Sequence, residues 1–213
     1  MTTNDLAAAI VPLYARSTGA YDRQRGRDLF EREWLERFVA AMPANGPGRH
    51  VLDLGCGMGE PIARWLIGQG LAVTGVDAAA GMIDLCRERF PEHDWPGHEW
   101  IVADMRRLEL TRRFGGILAW DSFFHLAPDD QRAMFPVFAR HAADGAALMF
   151  TSGPSAGEAI GQWQGEPLYH ASLDPAEYRT LLDAHGFRVL HHRPEDPDCG
   201  GHTVWLVRFG GEQ

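Results

Sequence analysis

The chain contains no lysine; all 20 of its basic residues are arginine. That absence excludes Schiff-base chemistry on a protein amine and a phosphate loop built around a lysine ammonium. Cysteine is scarce, with three in 213 residues. Cys56, Cys86 and Cys199 form no C-x-x-C pair. An odd count without that spacing argues against a disulfide framework or a structural zinc site, so no metal is expected. No apolar run approaches a membrane span. Asn4 and Asp5 stand where a secretion signal would carry basic residues, so no signal peptide is visible. The expectation is a cytoplasmic protein without a membrane partner. No long basic stripe relieves a formal net charge of −9, which argues against nucleic acid as a partner.

What is present is a globular composition, with 45% hydrophobic and 23% charged residues. The length suits one domain with a sizeable core. The most informative stretch is Val51-Leu52-Asp53-Leu54-Gly55-Cys56-Gly57-Met58-Gly59-Glu60. An apolar strand ends near an aspartate, glycines follow on alternate positions, and Pro61 leads into a helical pattern. Glycines permit a sharp turn and let a ligand lie against bare main chain. The helix N-terminus beyond them favours an anionic group. The dinucleotide fingerprint G-x-G-x-x-G does not fit, because Glu60 occupies the third glycine's place and would face a pyrophosphate badly.

Strands are predicted at His50–Leu54, Leu71–Val76, Trp100–Ala103, Gly116–Asp121, Ala146–Thr151, Phe187–His191 and Thr203–Phe209. Helices are predicted at Thr3–Tyr14, broken near Pro12, then over Arg27–Met42, Pro61–Gln69, Ala79–Phe90, from Asp129 to His141, and between Asp174 and Gly186. Strand–helix alternation predicts an α/β fold: a Rossmann-like, seven-stranded, mainly parallel sheet with helices on both faces. The last strand follows its predecessor without a helix and should run antiparallel. The whole is read as one domain, with residues 1–47 as a helical cap, 48–151 as the binding core, and 152–213 as the substrate side.

In such sheets ligands bind beyond the carboxyl ends of the strands. Asp53 is expected under the turn, orienting it by hydrogen bonds. Asp77 ends the second strand, where a carboxylate can accept ribose hydroxyls. Asp104 ends the third, where it can accept an exocyclic adenine amine. Each has an alternative role as a helix N-cap.

Across residues 48–151 these features resemble the class I S-adenosylmethionine (SAM)-dependent methyltransferases. The resemblance implies SAM as cofactor and S-adenosylhomocysteine as product. It places Gly55, Cys56, Gly57 and Gly59 in the cofactor turn, and Ala78, Met82 and Met105 beside the nucleoside. Trp120 and Asp121, in Ala119-Trp120-Asp121-Ser122, fall near the methionyl part. One departure is Phe114-Gly115-Gly116, where relatives often carry Phe-Asp. The Asn-Pro-Pro-Tyr signature of nucleobase amino methylation is absent, and a lysine-free chain cannot hold the lysine-containing tetrad of RNA ribose methylation. The resulting expectation is methyl transfer to an oxygen or nitrogen of a small-molecule acceptor. The alternative is a non-catalytic SAM- or nucleoside-binding protein of the same fold.

A base is needed only when the nucleophile arrives protonated. His125, after the fourth strand, is the leading candidate and Asp121 the second. The segment Tyr14–Arg25 precedes the core; Tyr21 and Arg25 are expected to close over the cofactor, Arg25 through its methionyl carboxylate. Two long connections should line the acceptor. Residues 152–173 offer Trp163, Tyr169 and His170 on a loop read as a lid. Residues 193–202 offer Cys199 and His202, with His191 and His192 adjacent but no familiar metal spacing.

Overall fold

A computed structural model describes residues 3–44 and 46–210. Helix α1 spans Thr3–Gln24 and α2 Arg32–Ala41. Then β1 (His50–Leu54), α3 (Ile62–Gly68), β2 (Ala72–Asp77), α4 (Ala80–Arg89), β3 (Glu99–Val102) and β4 (Phe114–Ala119) alternate along the chain. Helix α5 (Pro128–His141) leads directly into β5 (Ala142–Ser152). A hairpin of β6 (Gly157–Trp163) and β7 (Glu166–Ser172) follows, then α6 (Pro175–Ala184), β8 (Phe187–Asp196) and β9 (His202–Phe209).

The main sheet has seven strands in the order β3-β2-β1-β4-β5-β9-β8. Pairings among β1 to β5 are parallel, with Leu52 opposite Thr74 and Ile117. β9 runs antiparallel between β5 and β8. The order reverses between β1 and β4, so the carboxyl ends of the strands open a crevice there. Both faces are covered, as parallel sheets require. Val51 and Leu118 point to the side packed by Trp34, Leu35 and Phe38 of α2. Leu52 and Ile117 point to the other, where Phe135 and Phe138 of α5 meet Tyr178 of α6. Helix α2 is therefore a core layer rather than part of a cap. Gly116 is the reason it approaches so closely, since a Cβ there would lie 2.7 Å from Phe38 and 2.8 Å from Met42.

Three expectations need correction. Helix α1 is continuous through Pro12. The proline is exposed, so the carbonyl it leaves unbonded faces water. Meanwhile Ile10 packs on Tyr169 and Ala171 of β7 and holds the helix from its other side. Residues 157–172 form a two-stranded sheet, not a loop. It turns at Gln164 (φ 53°) and Gly165 (φ 79°), the pair of positive φ angles that a two-residue hairpin demands. Finally, β8 runs on to Asp196, which shortens the last connection.

Candidate active site

The turn after β1 is fixed by backbone bonds: the Gly55 and Cys56 N–H groups donate to the Val76 carbonyl (2.7 and 3.1 Å). Gly55 (φ +77°) has no room for a side chain, since its Cβ would lie 2.3 Å from that of Ser122. The end of β4 thus touches the turn. Gly57 (φ +54°) instead faces Tyr21, with a Cβ position 3.8 Å from that ring. Asp77 links turn to helix. Its Oδ2 accepts from the Gly57 N–H (3.0 Å) and its Oδ1 from the Ala79 N–H (2.8 Å). Burial raises its pKa, and these two backbone donors pull it back down.

A cavity opens above these groups. Gly55, Gly57, Asp77, Ala78 and Met82 form one wall; Asp104, Met105 and Arg106 form another. Tyr14 and Tyr21 of α1 cover it, and Asp121, Ser122 and His125 close the end beyond β4. A second cavity shares Tyr21, Gly55, Gly57 and Asp121 with the first and adds Arg25, Asp53, Cys56 and Trp120. The arrangement offers carboxylates at two depths and apolar walls between them, which suits a nucleoside carrying a cationic tail.

Asp53 is buried, and its pKa is pushed up to about 7 by burial first and by the charge of Asp77 second. Among the described residues no hydrogen bond reaches its carboxyl group, so it does not orient the turn as expected; it lies bare beside the second cavity. Asp104 lines the first cavity, but its carboxylate is taken by Arg106 through Nε (2.9 and 3.0 Å), Nη2 (2.6 Å) and the backbone N–H (3.0 Å). Arg106 holds that carboxyl below the usual range and reaches on to Asp130 (2.7 Å). The capping role therefore competes with the expected contact to an adenine amine. Gly59 lines neither cavity. Its missing side chain leaves space for Phe90 (2.8 Å) and Cys86 (3.3 Å), so it serves packing. Cys86 Sγ donates to the Gly57 carbonyl (3.2 Å), and Cys56 is a half-buried residue whose thiol pKa is driven up by desolvation first. Arg25 pairs at 3.6 Å with Glu31, whose buried carboxyl finds no hydrogen bond and is pushed up by burial.

His125 is 9% exposed and bonded at both nitrogens. Nδ1 lies 2.8 Å from the Tyr169 carbonyl, and Nε2 3.2 Å from the Tyr14 hydroxyl. A carbonyl only accepts, so the hydrogen sits on Nδ1 and Tyr14 donates to Nε2. Burial lowers the His125 pKa to about 4. The ring is neutral near pH 7, and a weaker base than a free histidine. Burial also raises the Tyr14 hydroxyl pKa, with Tyr21, Asp121 and Asp77 adding to the shift.

The residues assigned to the acceptor sit elsewhere than expected. Tyr169 is fully buried; it supplies the carbonyl that holds His125 and donates its hydroxyl to Glu158 (2.5 Å). Cys199 is 1% exposed within the core, with its thiol pKa pushed up to about 12 by burial. His202 lines neither cavity and binds Asp121 (2.8 Å). Trp163 stacks on Tyr14 (5.4 Å) from behind the cavity wall. His170 packs on His125 (4.9 Å) and faces a separate groove with Phe124 and Glu158. Among the described residues no group of three or more potential ligands could hold a metal, and no helix is long and apolar enough to cross a membrane.

Thr151 escaped the sequence reading, and Tyr14 and Ser122 entered it only as members of their segments, without a role of their own. Tyr14 lies one heptad before Tyr21, a helical-face signal hidden by ending the predicted helix at Tyr14 where it runs on to Gln24. Thr151, whose Oγ1 accepts from the Asp121 N–H (2.9 Å), left no signal.

Residues 51–145 match a family model described as a methyltransferase domain. The chain is 28% identical over 193 residues to an O-methyltransferase of Pyrenophora dematioidea, covering 85% of this chain and 71% of that one. It is 26% identical over 189 residues to a malonyl-[acyl-carrier protein] O-methyltransferase of Serratia marcescens, covering 85% and 69%. The fold is similar to that of a SAM-dependent methyltransferase from Clostridium acetobutylicum ATCC 824, with TM-score 0.69 and 14% identity over 93% of this chain and 100% of that one.

Proposed function

We propose that this chain is a class I SAM-dependent methyltransferase that transfers the cofactor's methyl group to an oxygen or nitrogen of a small-molecule acceptor. One observation carries the reading: the glycine turn and Asp121 border two adjoining cavities, with the Asp77 carboxylate pinned to that turn on the wall of the first. The donor set fits the cofactor. Asp77 keeps lone pairs for ribose hydroxyls, Ala78, Met82 and Met105 give adenine an apolar slot, and Asp53 and Asp121 offer negative charge to the ammonium. Among the described residues Arg25 supplies the guanidinium on the second cavity's wall for the carboxylate. Bound there, the cofactor supplies a methyl group activated by a sulfonium.

The protein's own part is alignment and exclusion of water. Tyr14 and Tyr21 close the cavity from α1, and Trp163 backs them. His125 is held in one tautomer and presents Nε2 toward Tyr14. At a pKa of about 4 it stays unprotonated through the neutral range, but its driving force for proton removal is small. It serves acceptors whose proton is lost late or easily, with Asp121 as the second candidate. Trp163 backs Tyr14 and His170 faces the neighbouring groove, so they meet only an acceptor that extends to the hairpin side.

Calorimetric titration with SAM and S-adenosylhomocysteine tests the cofactor; micromolar affinity is expected, on the order of 8 kcal/mol. Release of S-adenosylhomocysteine in a screen of small amines, phenols and carboxylic acids then tests the acceptor. Cofactor binding without turnover on any of them would favour the silent binding protein.

A further inference from the structure

His202 begins β9 and meets Asp121, 81 residues earlier in the chain. Both of its ring nitrogens face acceptors: Nε2 lies 2.8 Å from Asp121 Oδ1, and Nδ1 lies 2.7 Å from the Cys199 carbonyl oxygen. A neutral imidazole has one N–H and satisfies one of these; an imidazolium satisfies both. The ring packs on Trp120 (5.4 Å, 23°) and on Phe30 (5.4 Å, 34°), aromatic surfaces that favour a cation. Asp121 needs such a partner. Its φ of 49° is a conformation that a residue with a side chain keeps only when its surroundings hold it. Its backbone N–H is anchored by Thr151 and its carboxylate by His202.

We propose that His202 is a positioning residue: as an imidazolium it fixes the Asp121 carboxylate where the two cavities meet, so that cofactor affinity follows the protonation of a histidine that never touches the cofactor. The inference rests on the cofactor reading given above.

The charged groups around the ring support a cation. Asp121 faces it from the end of β4, Glu31 acts on it from the start of α2, and the Cys199 carbonyl accepts from it in the β8–β9 connection; Arg25 is turned toward Glu31. The Asp121 hydrogen bond raises the His202 pKa above its ordinary value, against a smaller opposing effect of burial. A histidine shifted upward keeps its pair below its folded pKa and loses it as pH rises through that value. Cofactor affinity should therefore fall on the alkaline side. Asp53 loses its proton near pH 7 and adds negative charge for the cofactor's ammonium, which acts in the opposite sense. Comparison with variants separates the two.

The test is calorimetric titration with SAM from pH 5.5 to 9 on the wild type, His202→Phe and His202→Gln. Phenylalanine keeps the ring packing without an N–H; glutamine restores one donor. At pH 6 His202→Phe should bind SAM about 10- to 100-fold more weakly, and His202→Gln should recover part of that loss. The alkaline decline of the wild type should be missing from His202→Phe. A purely structural role would lower the melting temperature without removing a pH step. Should the phenylalanine variant not fold, NMR titration of the wild-type imidazole decides: its midpoint should lie above about 6.5 and fall in Asp121→Asn. Wild-type binding with an unaltered step in His202→Phe, or an imidazole midpoint insensitive to Asp121, overturns the positioning role alone. A wild type that binds no SAM overturns the cofactor reading itself.

Discussion

Asp77 serves two masters at the residue scale, the turn and the pocket. Its oxygens accept from Gly57 and Ala79, so removing them leaves two backbone donors without partners as well as any ribose hydroxyl. Asp77→Ala should weaken SAM by about 1–3 kcal/mol and lower the melting temperature. Asp77→Asn keeps one acceptor oxygen and should lose affinity with less thermal cost. Calorimetry of both separates the roles, and an unchanged affinity in the alanine variant removes Asp77 from the site. At His125, NMR should find a titration midpoint near 4, as burial dictates. Any activity limb between pH 5.5 and 8 then belongs to another group; a midpoint near 6.5 would show that the ring is open to water. The strand-end carboxylates and His125 were legible because topology alone brings strand ends together. The partnerships that tune them were not. Tyr14 and His125 are 111 residues apart, and only tertiary packing tells that Nε2 is capped.

At the scale of elements, the cavity roof is α1 braced by the β6–β7 hairpin. Arg16 bonds Glu166 (2.7 Å), Gln164 bonds Gln24 (2.8 Å), and Ile10 packs on Tyr169. A loop lid would exchange its amides freely until ligand arrives. A hairpin with paired backbone protects them beforehand. Amides of residues 158–162 and 168–171 that pair across the ladder should therefore exchange slowly in the free protein. SAM should add protection mainly over α1, around Tyr14 and Tyr21. Rapid exchange throughout the hairpin, slowed only by ligand, would restore the lid. The hairpin did leave a trace in the sequence: Gln164-Gly165 flanked by Trp163 and Glu166 is a two-residue turn of the glycine-ending kind. Glycines at 153, 157, 161 and 165 obscured it, because so many breakers in one stretch read as loop. Helix α1 was cut in two for a comparable reason. Proline is a sound local breaker, but burial of Ile10 and Leu13 outweighs one lost hydrogen bond on the water side.

For the whole molecule, burial of histidine sets how stability depends on pH. Burial lowers the pKa of His50, His98, His125, His141, His170 and His192, the first and third to about 4. Between those lowered values and the unfolded value near 6.5, the unfolded chain binds more protons than the folded one. Stability contributed this way is present above about pH 6.5 and lost as pH falls. Asp53 acts in the opposite direction. With its folded pKa up at about 7, the folded state holds a proton that the unfolded carboxyl releases near 4, so its contribution favours acid and fades as pH rises to 7. Asp53, Asp77 and Glu31, all raised by burial, stand against six imidazoles, so the imidazoles should win. The melting temperature should climb from pH 5 to about 7 and then level or decline as His202 loses its proton. Asp53→Asn removes one of the opposing contributions and should steepen the climb, whatever it does to the absolute value. Thermal scans from pH 5 to 8 on both proteins check this, and a wild type most stable at pH 5 would mean that the buried carboxyls dominate. Composition supplied the ten histidines and the charge of −9 but not these directions, since each depends on whether burial of the ring outweighs its partners or, as at His202, a carboxylate outweighs burial.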